Sequence, residues 1–483
     1  METVTIPREE YEELKALQPQ VSELTRQVQW LMEQVRLAKH RQFGASSEKS
    51  GHTQLNLFNE AEQQADENIA EPELCEVEKH YRKKAREAKD RLPADLPVEV
   101  VEHTLPADEQ ICPECDSPLH VMGKRVRREL KLVPAKAVIV EHVQYVYACR
   151  ECERDSCGVP ILKAPVDEPV IKGSFASPEA VAHIMAQKFV MGVPLYRQER
   201  YWTRRGVMLS RQTMSNWLLR ASRDWLEPIW DALHEVLLNR EVLHGDETVL
   251  QVLHEEGKSA QSKSYMWLYR SGCDARAPIV LFDYQPDRTA KRPADFLQGF
   301  KGYLHTDGYA GYHALHADIV VVGCWAHARR KFHEALESMT PKDREGSLAQ
   351  QGERFCDKLF AVERKAKDMT PQERHQFRQD QAKPVLGAFL AWLKVQNGGK
   401  TAFGKAVRYT LDNWPYLERY LLDGRLEISN NRAENSIRPF VVGRKNWLFA
   451  NTPRGARASA IIYSIVETAK ENGLDPYNYL CYL

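Results

Sequence analysis

The sequence predicts a multidomain α/β protein, and three observations lead to that class. An apolar stripe with heptad spacing lies near the start, and two Cys-x-x-Cys pairs flank a β-branched stretch. Past residue 241, short apolar strands alternate with helical segments. At 483 residues the chain is long enough for about three folded units at roughly 150 residues each. Hydrophobic residues make up 43% and charged residues 28%, a balance that supports cores and argues against a disordered chain. No apolar run reaches the ~20 residues of a membrane span. The opening METVTIPREEYEELK has no apolar stretch of the kind a secretory leader needs. A cytoplasmic protein without membrane contact is expected.

Charge is balanced overall, 67 basic against 67 acidic residues, yet segregated along the chain. Glu60, Glu62, Asp66, Glu67, Glu71, Glu73, Glu76 and Glu78 crowd one stretch. Arg425, Arg432, Arg438, Arg444, Lys445, Arg454, Arg457 and Lys470 give the C-terminal part a basic excess. A basic surface meeting a polyanion is therefore expected away from the acidic stretch.

Taken in order, residues 1–50 read as a helix or coiled coil. Leu14, Leu17, Val21, Leu24, Val28, Leu31 and Val35 alternate at three and four residues, with Pro19 interrupting the early part. Such a seam implies a homo-oligomer. Residues 51–104 form an acidic linker.

Residues 105–163 carry Cys112-Pro-Glu-Cys115 and Cys149-Arg-Glu-Cys152 around Lys136–Tyr147, which alternates as a strand does. Two such knuckles on a ribbon supply four thiolates to one tetrahedral Zn²⁺ at ~2.3 Å; a closed Cys₄ site has a structural role. Cys157 is a substitute ligand outside both knuckles. Lys124, Arg125, Arg127 and Arg128 lie between the knuckles and suit nucleic acid or a solvated face equally.

Residues 164–240 read as helical. Ser177-Pro178-Glu179 is a helix start, with proline placed where its missing N–H does no harm. A second helix runs from Leu195 to Arg204, and Gly206 turns the chain. Ser210 then caps a third helix carrying Arg211, Gln212 and Asn216. Helix, glycine turn and a helix with Arg, Gln and Asn near its start has the shape of a helix-turn-helix that reads DNA.

The core begins at residue 241. Val242–Leu253, Tyr265–Arg270 and Ala277–Tyr284 read as strands, and Ala290–Leu297 as a helix. Gly302–Thr306 and Ile319–Cys324 are further strands, the latter leading into a basic helix, Trp325–Leu336. That order is the one expected of an RNase H-like α/β fold. Its first part spans 241–340; 341–424 reads as a helical insertion, and 425–483 completes the core.

Asp246 interrupts the first apolar strand and Asp307 ends the fourth. Aspartate is scarce in strands, and a buried one is costly without a cation or hydrogen bonds. Carboxylates that hold Mg²⁺ (or Mn²⁺) resolve that cost, and two ions ~4 Å apart can serve an in-line phosphoryl transfer. Asp307-Gly308 is also a common hairpin signal. A third acid comes from Ser429-Asn430-Asn431, which reads as a helix cap before Glu434, with Pro439 ending that helix. Glu427, Asp423 and Glu247 are rivals that the pattern leaves open. Arg438, Arg444, Lys445, Trp447 and Arg454 follow, a mixture of cations and an aromatic suited to phosphates and unpaired bases.

At this point the chain resembles the IS66-type transposases of bacterial insertion sequences. The likeness rests on RQFGASSEKS, CPECDSPL with YACREC, LHGDET, LHTDGYAGY, CWAHARRKFHEAL and NNRAENSIRPFVVGRKNWLFA, in that order across nearly the whole chain. The resemblance implies a DDE triad at Asp246, Asp307 and Glu434 in an RNase H-like catalytic domain with an insertion. It also implies a zinc-finger-like DNA-binding domain, DNA partners (element ends and target) and co-encoded accessory proteins. Cys324, Trp325, His327, Arg329 and Arg330 are expected beside the site, with Arg329 and Arg330 on DNA.

Overall fold

The computed structural model describes residues 27, 28, 32, 136–148, 161–274, 276–396 and 398–483. The chain divides into two compact units, Ser46–Glu141 and the remainder, Met1–Ala45 with His142–Leu483. The described part of the first, 136–141, has no regular secondary structure; in the second, residues 27, 28 and 32 are helical. Most of the heptad stripe, all of the acidic linker and the four knuckle cysteines lie outside the described residues.

The strand expected over Lys136–Tyr147 is much shorter. Only β1 (Val146–Ala148) pairs, antiparallel with β2 (Ile161–Lys163). Alternation signals the capacity to pair, and residues 136–145 have no strand opposite them among the described residues.

Three helices follow: α1 (Pro178–Phe189), α2 (Leu195–Thr203) and α3 (Arg211–Ala221). The caps are those legible in the sequence. Ser177 Oγ accepts from the Ala180 amide at 3.2 Å, and Ser210 Oγ from Thr213 at 3.1 Å, each satisfying an amide that the helix leaves unpartnered. Gly206, at φ +79°, makes the turn between α2 and α3. Met214, Trp217 and Leu218 bury one face of α3. α4 (Glu227–Leu238) then leads to the sheet.

The sheet comprises β3 (Val242–Gln251), β4 (Lys263–Ser271), β5 (Val280–Gln285), β6 (Gly302–His305) and β7 (Ile319–Val322), with α5 (Lys291–Phe296) between β5 and β6. Its order is β5-β4-β3-β6-β7. β4 runs antiparallel to both of its neighbours, β3 and β5, whereas β6 runs parallel to β3 and β7 parallel to β6. The Asp307-Gly308 turn therefore closes no hairpin. It opens a crossover through Ala310–Ala314 to a parallel strand.

Alternate side chains sort to two layers, as the pleat requires. Met266, Leu268, Val280 and Phe282 pack with α11 (Asn431–Trp447), α12 (Pro453–Glu471) and the three N-terminal helices. Leu243, Trp267, Tyr269 and Leu281 pack on the other face with Leu237 of α4 and Phe296 of α5. α12 also closes the β5 edge. Ser464 Oγ accepts from the Phe282 amide at 2.7 Å and Thr468 Oγ1 from Val280 at 3.0 Å, so donors that an edge strand would expose are satisfied. A short α13 (Pro476–Tyr482) ends the chain.

The helices between β7 and α11 have their own core. Trp325, Ala328 and Phe332 of α6 (Trp325–Glu337) meet Cys356 and Leu359 of α7 (Leu348–Lys365). After α8 (Pro371–Phe377), Phe389 and Leu393 of α9 (Lys383–Lys394) and Val407 of α10 (Ala402–Asp412) complete it. Arg378 is fully buried here. It pairs bidentately with Glu363 (2.8 and 2.7 Å) and donates to the carbonyls of Tyr420, Asp423 and Leu426. The three bonds to carbonyls tie this helical core to the segment that leads into α11.

α11 itself corrects the sequence reading. Pro439 lies inside the helix rather than ending it. Proline removes one i→i−4 bond, but the burial of Ile437, Phe440 and Gly443 on either side holds the helix together.

Candidate active site

β3 distributes its polar residues between the two layers. Leu243, Gly245 and Glu247 share the face of Tyr312, whereas His244, Asp246 and Thr248 face α11. Glu247 accepts from Arg288 Nε at 2.8 Å and from the Tyr312 hydroxyl at 2.8 Å. His244 and His305, two residues before Asp246 and Asp307 respectively, stack at 5.1 Å with a 4° interplanar angle. Burial depresses both imidazoles, to about 3 and about 4. As neutral rings they serve as hydrogen-bond partners. His244 Nδ1 donates to Asn430 Oδ1 at 3.0 Å, and His305 Nε2 donates to the Glu427 carbonyl.

Within the cap-like Ser429-Asn430-Asn431 entry, Asn430 is the residue that caps α11 by position, but its side chain makes no capping bond. Its Nδ2 donates to the Gly245 carbonyl at 2.8 Å while its Oδ1 takes the His244 proton. The residue that precedes α11 is thereby bolted to the backbone beside Asp246, and Glu434 follows in the first turn. The backbone amide of Asn430 donates to Cys324 Sγ at 3.1 Å, adding the start of α6 to the same junction.

The electrostatics show which acids are neighbours. Asp246 is held well above the ordinary aspartate range, first by burial, then by the negative charges of Glu247, Asp307 and Glu434. Its Oδ1 accepts from the Glu247 amide at 2.8 Å. Asp307 Oδ1 accepts from the Tyr309 amide at 2.9 Å, and its carbonyl accepts from the Tyr409 hydroxyl of α10 at 2.7 Å. Gly308 sits at φ +93°, and a Cβ there would stand 2.9 Å from Asn413 Oδ1 and 3.1 Å from the Tyr409 hydroxyl. The turn presenting Asp307 thus needs glycine on both conformational and steric grounds. Glu434 is largely buried, with Oε2 3.4 Å from Arg330 Nη2 and Oε1 3.6 Å from His327 Nδ1.

The rivals have other partners. Glu247 turns to the opposite face, Glu427 pairs with Arg432 (2.8 Å from Nε), and Asp423 with Arg425 (3.0 Å from Nε). Asp246 lies in the field of Glu247, Asp307 and Glu434, and Glu247 in turn in that of Asp307; what sets Glu247 apart is its pairing with Arg288 and Tyr312.

The basic candidates separate as well. Arg211, Gln212 and Asn216 are exposed on one face of α3, and Arg438, Lys445 and Arg454 are exposed on α11 and α12. Arg444 Nη1 donates to Thr248 Oγ1 at 3.2 Å, two residues from Asp246. Two candidates are redirected. Arg329 joins α6 to α7 through Asp357 (2.7 Å) and Glu353 (3.2 Å). Trp447 packs against Phe440 at 5.5 Å with Lys188 over its ring, so it supports the core instead of offering a stacking face.

Tyr409, Arg288 and Tyr312 escaped the sequence reading, because each acts through a partner more than 20 residues away. The stacked pair had a visible trace: His-x-Asp occurs on both acid-bearing strands, in HGD and HTD.

With this geometry in view, the chain was compared with known proteins. A family model described as "Transposase IS66 family" matches residues 173–458, more than half the chain. The chain belongs to the IS66 transposase family. A second model of that family, "zinc-finger binding domain of transposase IS66", matches 109–153, the segment holding the knuckles. A third, "Transposase C of IS166 homeodomain", matches 30–101. This IS66-family chain is similar to three proteins of Sinorhizobium fredii. The uncharacterized protein y4qI is 31% identical over 79% of this chain and 70% of its own length. The uncharacterized proteins y4jD (29%, covering 77% and 74%) and y4hP (28%, covering 75% and 68%) are comparable. The protein is accordingly a transposase with a zinc-finger DNA-binding region; DNA is its partner, and zinc belongs to the finger as a structural ion. Among the described residues, no helix is long and apolar enough to cross a membrane.

Proposed function

We propose that this transposase is a DDE enzyme that cleaves DNA at the ends of its element and transfers the freed strand to a target. Asp246, Asp307 and Glu434 are its catalytic carboxylates. The observation that carries the proposal is the convergence on Asp246, a strand carboxyl pushed up first by burial, then by Glu247 and by the two other proposed ligands, while Asn430 ties the start of α11, which bears Glu434, to the backbone beside it. Clustered buried carboxylates are unfavourable until a cation balances them, and an all-oxygen donor set suits a hard divalent ion. When bound, Mg²⁺ (or Mn²⁺) as a pair of ions would activate the attacking oxygen and stabilise the leaving one.

The chain's residues do the positioning. The Arg330 guanidinium fixes one oxygen of Glu434, Tyr409 and Gly308 fix the Asp307 turn, and Asn430 ties α11 to the Asp246 strand. The strand order β5-β4-β3-β6-β7, in which β4 alone runs against the other four, supports an RNase H-like core. Two in-line displacements at phosphorus account for the reaction: water at the element end, then the resulting 3′-hydroxyl on target DNA. Neither needs a covalent protein intermediate.

Element ends would be read by the zinc ribbon and by α3 through Arg211, Gln212 and Asn216. Arg438, Arg444, Lys445 and Arg454 would follow the backbone near the site. The N-terminal heptads would join copies that hold paired ends, co-encoded accessory proteins would assist, and the enzyme would work on DNA in the cytoplasm.

The test is a strand-transfer assay with element-end oligonucleotides, target DNA and Mg²⁺. Joined products are expected from the wild type and none from Asp246→Asn, Asp307→Asn or Glu434→Gln, with end binding retained in all three. Cleavage without joining would make the protein a nuclease, and binding alone would make it a DNA-binding protein without chemistry. Joining by Glu434→Gln would move the third ligand to Glu427 or Glu247.

A further inference from the structure

The acids of the proposed active site do not account for everything at the junction of α6 and α11. Cys324 is the residue before α6 and His327 lies in that helix's first turn, so the Cys-x-x-His spacing sets both on one side of the helix start. Glu434 arrives from the first turn of α11. The Cys324 sulfur, a ring nitrogen of His327 and a carboxylate oxygen of Glu434 all lie within 4.8 Å of one another. His327 Nδ1 and Glu434 Oε1 are 3.6 Å apart, while Arg330 takes the other oxygen, Oε2. Ligands at ~2.0–2.3 Å from a tetrahedral zinc stand roughly 3.3–3.7 Å from each other, so the His–Glu separation already fits one ion. His327 and Glu434 keep 19% and 17% side-chain exposure, while the Nδ1 and Oε1 atoms that face each other are buried.

We propose that Cys324, His327 and Glu434 form a second metal site, selective for Zn²⁺-like ions and separate from the Cys₄ finger, which draws on the same Glu434 as the Mg²⁺ site. The donor set decides the ion. One sulfur, one nitrogen and one oxygen suit a borderline-soft cation and are poor ligands for Mg²⁺, which demands oxygens in octahedral array. Three protein ligands with an open position is the composition of zinc sites that exchange, in contrast to the closed finger. Because one carboxylate would serve both sites, zinc at this junction would hold Glu434 Oε1 on the His327 side, where it already lies, and make it less available to a cation at Asp246. Occupancy of one site then weakens the other reciprocally. Zinc binding needs only the junction, whereas its effect on activity rests on the DDE reading above.

The full-length protein, its finger loaded, is equilibrated in a chelator-buffered series of free Zn²⁺ and its metal content measured. Wild type is expected to take up one more zinc than Cys324→Ser and than His327→Gln, while Cys112→Ser loses a different one. Cys324→Ser retains the acceptor for the Asn430 amide, and His327→Gln serves as the independent variant should serine disturb folding. Equal zinc content in wild type and both junction variants would overturn the proposal. Mg²⁺-supported strand transfer is then compared with and without Zn²⁺ for each protein. A drop of about tenfold in wild type, absent in Cys324→Ser, is expected of a shared ligand. Equal inhibition in both would overturn the sharing. No strand transfer by zinc-free wild type would instead count against the DDE reading, and zinc content would still decide the site.

Discussion

Replacing Asp246 by asparagine should stabilise the protein in the absence of divalent ions. The carboxyl is buried on β3 and repelled by Glu247, Asp307 and Glu434, and its hydrogen bond from the Glu247 amide is one that an asparagine oxygen can accept equally well. Substitution therefore removes a strained charge without losing that bond. Relief of an uncompensated buried polar group is worth about 2 kcal/mol, and partial relaxation in the wild type keeps it from being larger. For a body spanning His142–Leu483 that corresponds to roughly 3 °C in melting temperature.

Mg²⁺ should reverse the ranking. At a hundred times its dissociation constant a ligand adds about 2.7 kcal/mol, a gain expected for wild type and largely absent from Asp246→Asn. The assay is thermal unfolding of both proteins in chelator and in Mg²⁺. The pH dependence gives an internal check. A carboxyl raised in the fold contributes stability that is complete below its ordinary value, 3.8, and is lost as pH rises through the folded value. The advantage of the asparagine protein should therefore be nil in acid and grow toward neutrality. If Asp246→Asn melts below wild type in chelator, or gains as much from Mg²⁺, the reasoning about a cation cradle fails.

Asp283 on β5 offers the same sign away from the site, since burial lifts it from 3.8 to about 6. Asp283→Asn should gain about 1–2 kcal/mol above pH 7 and nothing below pH 4, the full shift of roughly 3 kcal/mol being trimmed by solvent at its partly exposed edge; urea unfolding across pH would show it. Arg378→Met should cost about 3–5 kcal/mol, because it strands buried Glu363 and three carbonyls, and chemical denaturation would measure the loss. Glu247→Gln, which spares the α11 face but breaks the pair with Arg288, should leave the Mg²⁺-dependent gain in melting temperature intact. Cys112→Ser should release the finger's zinc and weaken binding to element ends, read by metal analysis and gel shift.

The core was legible in the sequence to the extent that local rules govern it. β4, β5, β6 and β7 are short apolar runs bounded by turn residues, and the Ser177 and Ser210 caps act over three residues, so both signals sit within a window the eye can scan. The failures have the opposite character. Pro439 looked like a helix end because the tertiary burial that overrides it, on Ile437, Phe440 and Gly443, is invisible locally. Asn430 looked like a cap, since nothing nearby reveals that His244 and Gly245 claim its amide. Asp307-Gly308 looked like a hairpin turn because a glycine at positive φ is required by both hairpins and crossovers. Only the strand that follows tells them apart.

The helical segment between α6 and α11 supplies none of the three proposed carboxylates. It shares a junction with both loops that present acids. α10 holds the Asp307 turn through Tyr409 and Asn413, and Arg378 gathers the carbonyls of Tyr420, Asp423 and Leu426 just before α11 brings in Glu434. Trp325 repeats the pattern, its amide donating to the Ile428 carbonyl and its indole N–H to that of Leu417. An added domain that touched only the periphery would leave the spacing of the carboxylates to the sheet. Here Tyr409 of α10 holds the Asp307 turn directly, so changes deep in the helical core should alter the placement of that proposed ligand as well as the protein's stability, whereas Glu434 meets Arg330 and His327 of α6.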